Sequence, residues 1–403
     1  MAMKQTQTKL FDFSDVGLDF CAGSKNLFPD RFKKMLVLGY NEQTASSVAV
    51  SGNQVTFTYG GAHGYVADRV LKVDSGALAS INGGEFWIDS VTTNTVTFTL
   101  DDAPTSVSSG FTTRIASLGW DLVYEQDHIH IYKFKHIDDT DMYARLCFQN
   151  TITSRNCVVV AIGRTADLTL GHITDPNCYL DTGTCATVNT AQSLRRWEFS
   201  ASAISTHNNY NYNQGYSTYG LSKVVGSIYH FLIFHNMNSG TGWFKTHGIV
   251  ASATLKYGAI DYPLLILTNG QSSSLNTNIS SRPSELVLLG VERCFFQNNT
   301  SSTNLLPINS AGSDYLPTSI DGFNTTMAQN LPIFHGETRQ ILGYCINFYK
   351  LTYTSSGQPS RDYFKTPALI SDIDLENIGI THHLDNYGWG AVLTMVEEVK
   401  IGN

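Results

Sequence analysis

Charged side chains are scarce in this chain: Lys, Arg, Asp and Glu make up 15% of 403 residues, against roughly 25% in an ordinary soluble domain. Ser, Thr, Asn, Gly and Tyr fill the gap. That mixture suits sheet surfaces and contacts with neighbouring subunits, where strongly hydrated ions are costly to bury. The charge present leans acidic, −8 net with a pI near 5.8. Phosphate binding needs a basic stripe, whereas Lys33-Lys34 and Arg195-Arg196 are isolated pairs that read as solvated surface. No nucleic-acid groove is expected. No run approaches the roughly 20 apolar residues that span a bilayer, and Met1 to Lys9 lacks the apolar core of a secretory signal. The expectation is a protein made and folded in a cytoplasm, without membrane insertion.

Metal and redox signatures are also missing. The cysteines at 21, 147, 157, 178, 185, 294 and 345 contain no CxxC pair, which disfavours zinc. In a reducing compartment they are expected as free, mostly buried thiols. Cys178 and Cys185, in a Pro/Asn/Gly-bearing stretch, are the one pair weighed for a disulfide, although spacing does not establish the Cα separation it requires. No GxSxG, HExxH, Walker or dinucleotide motif occurs. The sequons at Asn278, Asn298 and Asn324 are chance matches in Asn/Ser/Thr-rich loops.

Three groups of residues have spacing suited to chemistry. His128 and His130, two apart on a strand, share a face with each other, and with His136, Asp138, Asp139 and Asp141 they have the composition of a metal cluster. Alternation with Ile129, Ile131 and Phe134 explains the same histidines as the polar side of a strand, which is the preferred reading. Thr381-His382-His383-Leu384-Asp385 receives the same discount. Glu85 and Asp89 share strand parity, as a glycosidase pair would, without a second signature. No catalytic, cofactor or metal residue is assigned, no cofactor is expected, and the chain reads as a non-enzyme.

What the sequence does contain is β signal. Val55-Thr56-Phe57-Thr58-Tyr59 and Val96-Thr97-Phe98-Thr99-Leu100 alternate β-branched or aromatic residues with Thr, as half-buried strands do. Gly60-Gly61, His63-Gly64 and Asn82-Gly83-Gly84 mark turns between them. This predicts a small domain of four or five strands at 46–115, preceded by an N-terminal arm and short helix at 1–45. Pro29 in a first turn, with Phe32, Met35 and Leu36 at helical spacing, places that helix at about 29–38, stopped by Gly39. Residues 116–403 predict a larger β-sandwich-like region. Its strands fall near 121–125, 128–135, 142–149, 156–163, 194–201, 223–235, 247–256, 261–268, 285–293, 340–353 and 391–398, with long loops at 269–284 and 297–330. Thr112 to Ser117 reads as the linker. The fold class expected is mainly β, with few short helices.

Over residues 20 to 260 the segments His63-Gly64, Ala67-Asp68-Arg69-Val70, Asn82-Gly83-Gly84-Glu85-Phe86-Trp87, Gly119-Trp120, Tyr143-Ala144-Arg145-Leu146 and Val224 to Phe231 occur in this order. The chain thereby resembles a family of virion proteins of tailed bacteriophages built on a small β-domain, although Ser227 stands where acidic residues often precede a later strand of that family. The resemblance implies a structural subunit of the tail, at the baseplate or tail tip, located in the virion. It would bind copies of itself and other tail proteins. A receptor-binding or fibre-attachment protein contacting host glycans is the alternative, and a collar or neck component a weaker one. The interface residues expected on this reading are Phe11 and Phe13 of the arm, which would pack on a neighbour or on the chain's own sheet, and Tyr210, Tyr212, Tyr216 and Tyr219. The tyrosines belong to an uncharged Tyr/Asn loop of the kind that makes adaptable contacts.

Overall fold

In the computed structural model the described residues are 8–18, 27–108, 111–150, 157–188, 196–199, 222–236, 244–267, 287–296, 328–351, 368–372, 377–383 and 391–395. The chain is mainly β, with large antiparallel sheets in a sandwich-like arrangement and one short α-helix.

The first described strand, β1 (Lys9–Asp12), is not a free arm. It pairs antiparallel with a strand more than 200 residues away, Leu10 opposite Val225 and Phe11 opposite Val224. After it α1 (Phe28–Lys33) starts with Pro in its first turn and widens into one π-helical stretch, Lys34–Leu38. Gly39 ends it at φ 73°, its amide donating to the Lys34 carbonyl at 2.8 Å. A Cβ at Gly39 would sit 2.2 Å from the Ile115 carbonyl oxygen, so conformation and space both demand glycine.

The small sheet contains seven strands: β2 (Tyr40–Ser51), β3 (Gln54–Tyr59), β4 (Val70–Val73), β5 (Glu85–Trp87), β6 (Ser90–Val91), β7 (Thr95–Thr99) and β8 (Thr112–Ile115), in the order β5-β4-β8-β2-β3-β7-β6. The expected β3 and β7 pair with Val55 opposite Phe98 and Phe57 opposite Val96. These four side chains are buried, and the intervening Thr56 and Thr97 hydroxyls bond at 3.0 Å. Two strands depart from expectation. β2 is long and has only Tyr40 and Ala45 buried, so its apolar alternation is weak. β8, read as a linker, lies inside the sheet between β4 and β2. Its buried Thr113 takes part in hydrogen bonds with the Tyr59 and Tyr65 hydroxyls at 2.9 and 3.0 Å.

A second sheet, β15-β12-β11-β10-β9, is built from β9 (Asp121–Gln126), β10 (Ile129–Lys135), β11 (Asp141–Phe148), β12 (Cys157–Gly163) and, beyond the two-stranded β13 (Ala166–Asp167) and β14 (His172–Ile173), β15 (Arg196–Glu198). The largest sheet takes in β1 and then β16 (Lys223–Ser227), β17 (His230–Asn236), β18 (Phe244–Val250), β19 (Ser252–Thr254), β20 (Leu264–Ile266), β21 (Val287–Leu289), β22 (Glu292–Phe295), β23 (Ala328–His335), β24 (Ile341–Leu351), β25 (Ala368–Asp372), β26 (Asn377–His383) and β27 (Ala391–Met395). Two stretches expected as single strands are hairpins. Ile228-Tyr229 turns 223–235 back on itself as β16 and β17, and Gly290, at φ 58°, separates β21 from β22. The end of the expected 297–330 loop is already strand, since β23 starts at Ala328; 297–327 and 268–286 lie outside the described residues.

The layers meet on aromatic rings presented by α1. Phe32 touches Phe148 of β11 (5.5 Å between centroids), Trp197 of β15 (6.2 Å, stacked) and Phe231 of β17 (5.9 Å), while Phe28 lies edge-on to Phe199 at 5.2 Å. Such pairs contribute about 0.5–1.5 kcal/mol each beyond the area they bury. Trp120 stacks on Phe134 at 4.6 Å and donates its indole N–H to the Ser227 carbonyl at 2.8 Å. One helix thereby ties two sheets to a common core.

Candidate functional site

The residues of the HG, DRV and NGG segments build architecture. Nδ1 of the buried His63 accepts the Tyr65 amide at 2.9 Å, while Nε2 lies 2.9 and 3.1 Å from the Thr92 and Thr95 carbonyl oxygens. Two carbonyls require Nε2 to carry the hydrogen, so the ring is the neutral Nε2–H tautomer locking the β6–β7 turn to the chain after β3. Arg69 forms a bidentate pair with Asp15, Nε to Oδ2 at 2.8 Å and Nη2 to Oδ1 at 3.0 Å, both side chains 8% exposed. Asp15 also accepts the Tyr40 hydroxyl at 2.7 Å and the Asp12 amide at 3.0 Å, and Asp12 is paired with Lys223. This network joins β1, the small sheet and β16. Asn82, Gly83 and Gly84 hold φ of 52°, 65° and 76° in succession, and a Cβ at Gly84 would meet the Val73 carbonyl oxygen at 2.3 Å.

The histidine and acidic candidates do not converge. His128 Nε2 lies 2.7 Å from the Ala186 carbonyl oxygen, and His130 Nδ1 lies 2.8 Å from the Tyr132 hydroxyl. The polar-side reading fails for His130: it is buried, as are Ile131, Tyr132 and Phe134, because β10 is covered on both faces. His136 meets Asp138 at 3.1 Å, and burial lowers its pKa. Burial works against the Asp138 charge, yet hydrogen bonds from the Thr140 hydroxyl and amide, with His136, bring its pKa down to about 2. Asp139 accepts the Tyr229 hydroxyl at 2.8 Å and Asp141 pairs with Lys135 at 2.6 Å. Among the described residues no three His, Cys, Asp or Glu side chains group as a metal site. His382 and His383 fall on β26 with side chains outside the described residues, as are Leu384 and Asp385. Glu85 pairs with buried Lys9 at 2.8 Å, whereas Asp89 accepts the Thr99 hydroxyl at 2.7 Å, so the two carboxylates serve different partners. Burial lowers the Lys9 pKa, and Glu85 offsets part of that.

Phe11 and Phe13, expected at an interface, are each 1% exposed within the chain's own core, Phe11 against Tyr40 (5.9 Å) and Phe13 against Phe199 (6.2 Å). In this fold their rings are not presented to a neighbour. Tyr210, Tyr212, Tyr216 and Tyr219 lie outside the described residues. Arg196, read as solvated, is fully buried.

Surface features missed in the sequence gather around β19 and β24. Leu255 (58% exposed), Tyr257 (68%), Ile341 and Tyr344 flank one ribbon, in which Ala253 opposes Tyr344 and the Leu255 amide donates to the Leu342 carbonyl at 2.9 Å. Beside it an open groove of about 450 Å³ is lined by Arg164, Asp175, Asn177, Lys256, Asp261 and Tyr262, among others. Arg164 lies over the Tyr262 ring at 5.1 Å and pairs with Asp261 at 3.1 Å; the Tyr262 hydroxyl donates to Asp175 at 2.7 Å. These residues come from segments nearly 90 positions apart, so no local pattern announces the groove.

No protein-family model matches the chain, and a search of curated proteins finds no matching relative. No described helix is long and apolar enough to cross a membrane.

Proposed function

We propose that the chain is a structural subunit of a bacteriophage tail, at the baseplate or tail tip, working through contacts with copies of itself and with other tail proteins. The observation that carries the reading is the set of exposed apolar side chains at Leu255, Tyr257, Ile341 and Tyr344 along the β19–β24 ribbon. Large exposed side chains gathered on neighbouring strand positions mark a contact surface. His63 and Arg69 of the phage-like segments support it from the other side, because each has a scaffolding partner within the fold. The test is to strip tails from heads of purified particles: the protein is expected to co-sediment with the tails, and its absence from purified particles contradicts the proposal.

A second reading, a receptor-binding protein contacting host glycans, is favoured by the Arg164–Tyr262 groove. Planar polar side chains there lie close in sequence to the exposed ring of Tyr257. It predicts that soluble protein adsorbs to host cells and competes with phage for attachment. A subunit acting in assembly alone does neither.

A further inference from the structure

Arg145 points from β11 into the segments on either side of β14 and is 1% exposed. Its Nε donates to the Gly171 carbonyl at 2.6 Å, its Nη2 to the Cys185 carbonyl at 2.7 Å, and its Nη1 to the Thr182 carbonyl at 3.4 Å and to Cys185 Sγ at 3.5 Å. Among the described residues no carboxylate lies within ion-pairing distance of it. A buried guanidinium held by neutral oxygens keeps its desolvation cost, and the groups near it able to supply a negative charge are cysteine sulfurs: Cys185 Sγ at 3.5 Å, with Cys147 and Cys178 also close enough to feel its charge. Cys147 stands two residues beyond Arg145 on the same face of β11 and packs with Cys185, Val159 and Val188.

We propose that Cys185 and Cys147 form an oxidisable dithiol, in which Cys185 is the residue attacked by hydrogen peroxide and Cys147 the residue that resolves it into an intrachain disulfide. In the first step the Cys185 thiolate attacks one peroxide oxygen, the O–O bond breaks, and hydroxide leaves, giving a sulfenic acid. In the second the Cys147 sulfur displaces the sulfenic oxygen, which departs as water with the thiol's proton. Two thiols lose two electrons and the peroxide gains them.

The order of roles follows from the surroundings. The adjoining Cys147 thiol and the Arg145 guanidinium together outweigh burial at Cys185 and bring it down to about 7, while the same neighbouring sulfur and burial push Cys147 up; the Cys147 thiol lies 3.7 Å from the Phe148 carbonyl oxygen and the Cys185 thiol 3.6 Å from that of Thr182. Cys185 keeps 9% of its surface exposed and Cys147 none, so a molecule as small as peroxide meets Cys185 first. Cys178, the partner weighed from the sequence, sits 3.8 Å from the Thr182 hydroxyl, and burial raises it to about 11. Cys294 is likewise raised by burial, to about 12. The bond would fasten the segment carrying Asp175 and Asn177 to the centre of the second sheet.

The test is to treat the folded full-length chain with hydrogen peroxide, block remaining thiols with an alkylating agent, and map peptides without reduction. A cross-link joining the Cys147 and Cys185 peptides is expected, unchanged in Cys178→Ser. Cys147→Ser should leave a sulfenic acid at Cys185 that dimedone captures, with Cys294 still reduced. A Cys178–Cys185 link, or no link with Cys185 alkylated only after unfolding, overturns the proposal. Circular dichroism on each variant separates loss of chemistry from loss of fold: a folded Cys147→Ser protein without a trapped sulfenic acid also counts against it.

Discussion

At the scale of single residues the fold depends on buried polar groups with exact partners. Removing one member of a buried ion pair strands the other, at a cost of about 3–5 kcal/mol. Arg69→Met and Asp15→Ala are each predicted to lose that much in urea unfolding, and the double variant to lose less than the sum, because the second change removes the stranded charge. His230 provides a pH signature. Burial lowers its pKa to about 3, and Nδ1 lies 2.9 Å from the Ser227 hydroxyl. In the unfolded chain it titrates near 6.5. Between these values the unfolded state binds the extra proton, so stability falls as pH drops from about 6.5 toward 3, by at most about 1.4 kcal/mol per pH unit. His136, also lowered by burial, works in the same direction. Denaturation midpoints across pH 7 to 4 should decline in the wild type and decline less in a folded His230→Gln variant. Gly84→Ala, forced to a left-handed conformation with its Cβ against Val73, is expected to lose at least about 1–2 kcal/mol by the same assay.

At the scale of elements the first strand takes one of the two courses the sequence left open, packing on the chain's own sheet rather than on a neighbour. An arm that served only for attachment would be dispensable for folding. β1 is instead an integral strand of the largest sheet, with Leu10, Phe11 and Phe13 fully covered. Truncating residues 1–20 should therefore destabilise the sheet itself, and Phe11→Ala alone should lose about 3–5 kcal/mol on chemical denaturation. Elements announced by composition were legible: the helix with Pro29 inside and Gly39 after it, and the Thr-alternating strands β3 and β7. Those whose stability comes from partners were not. β8 reads Thr-Thr-Arg-Ile and owes its place to hydrogen bonds on both sides. The turn at Ile228-Tyr229 carries neither Gly nor Pro, so the mostly apolar stretch 223–235 reads as one long strand. The groove and the Arg145 pocket were invisible for a related reason: their residues meet only when distant segments fold together.

At the scale of the whole molecule, two sheets share rings from one short helix, and of the ten large apolar side chains exposed among the described residues four lie at the β19–β24 ribbon, the rest being spread over Val16, Leu27, Leu38, Val66, Leu168 and Leu170. Changing Leu255, Tyr257, Ile341 and Tyr344 together to Ser should alter the isolated chain's stability little, since surface substitutions are usually within about 0.5 kcal/mol each. It should nonetheless lower incorporation into particles, read as the ratio of this protein to a head protein in purified virions. The central claim, a place in the tail, is tested most directly by gold-labelled antibody against this protein on intact particles of its own phage, viewed by negative-stain microscopy. The account predicts label at the distal end of the tail; particles that carry no label would contradict it.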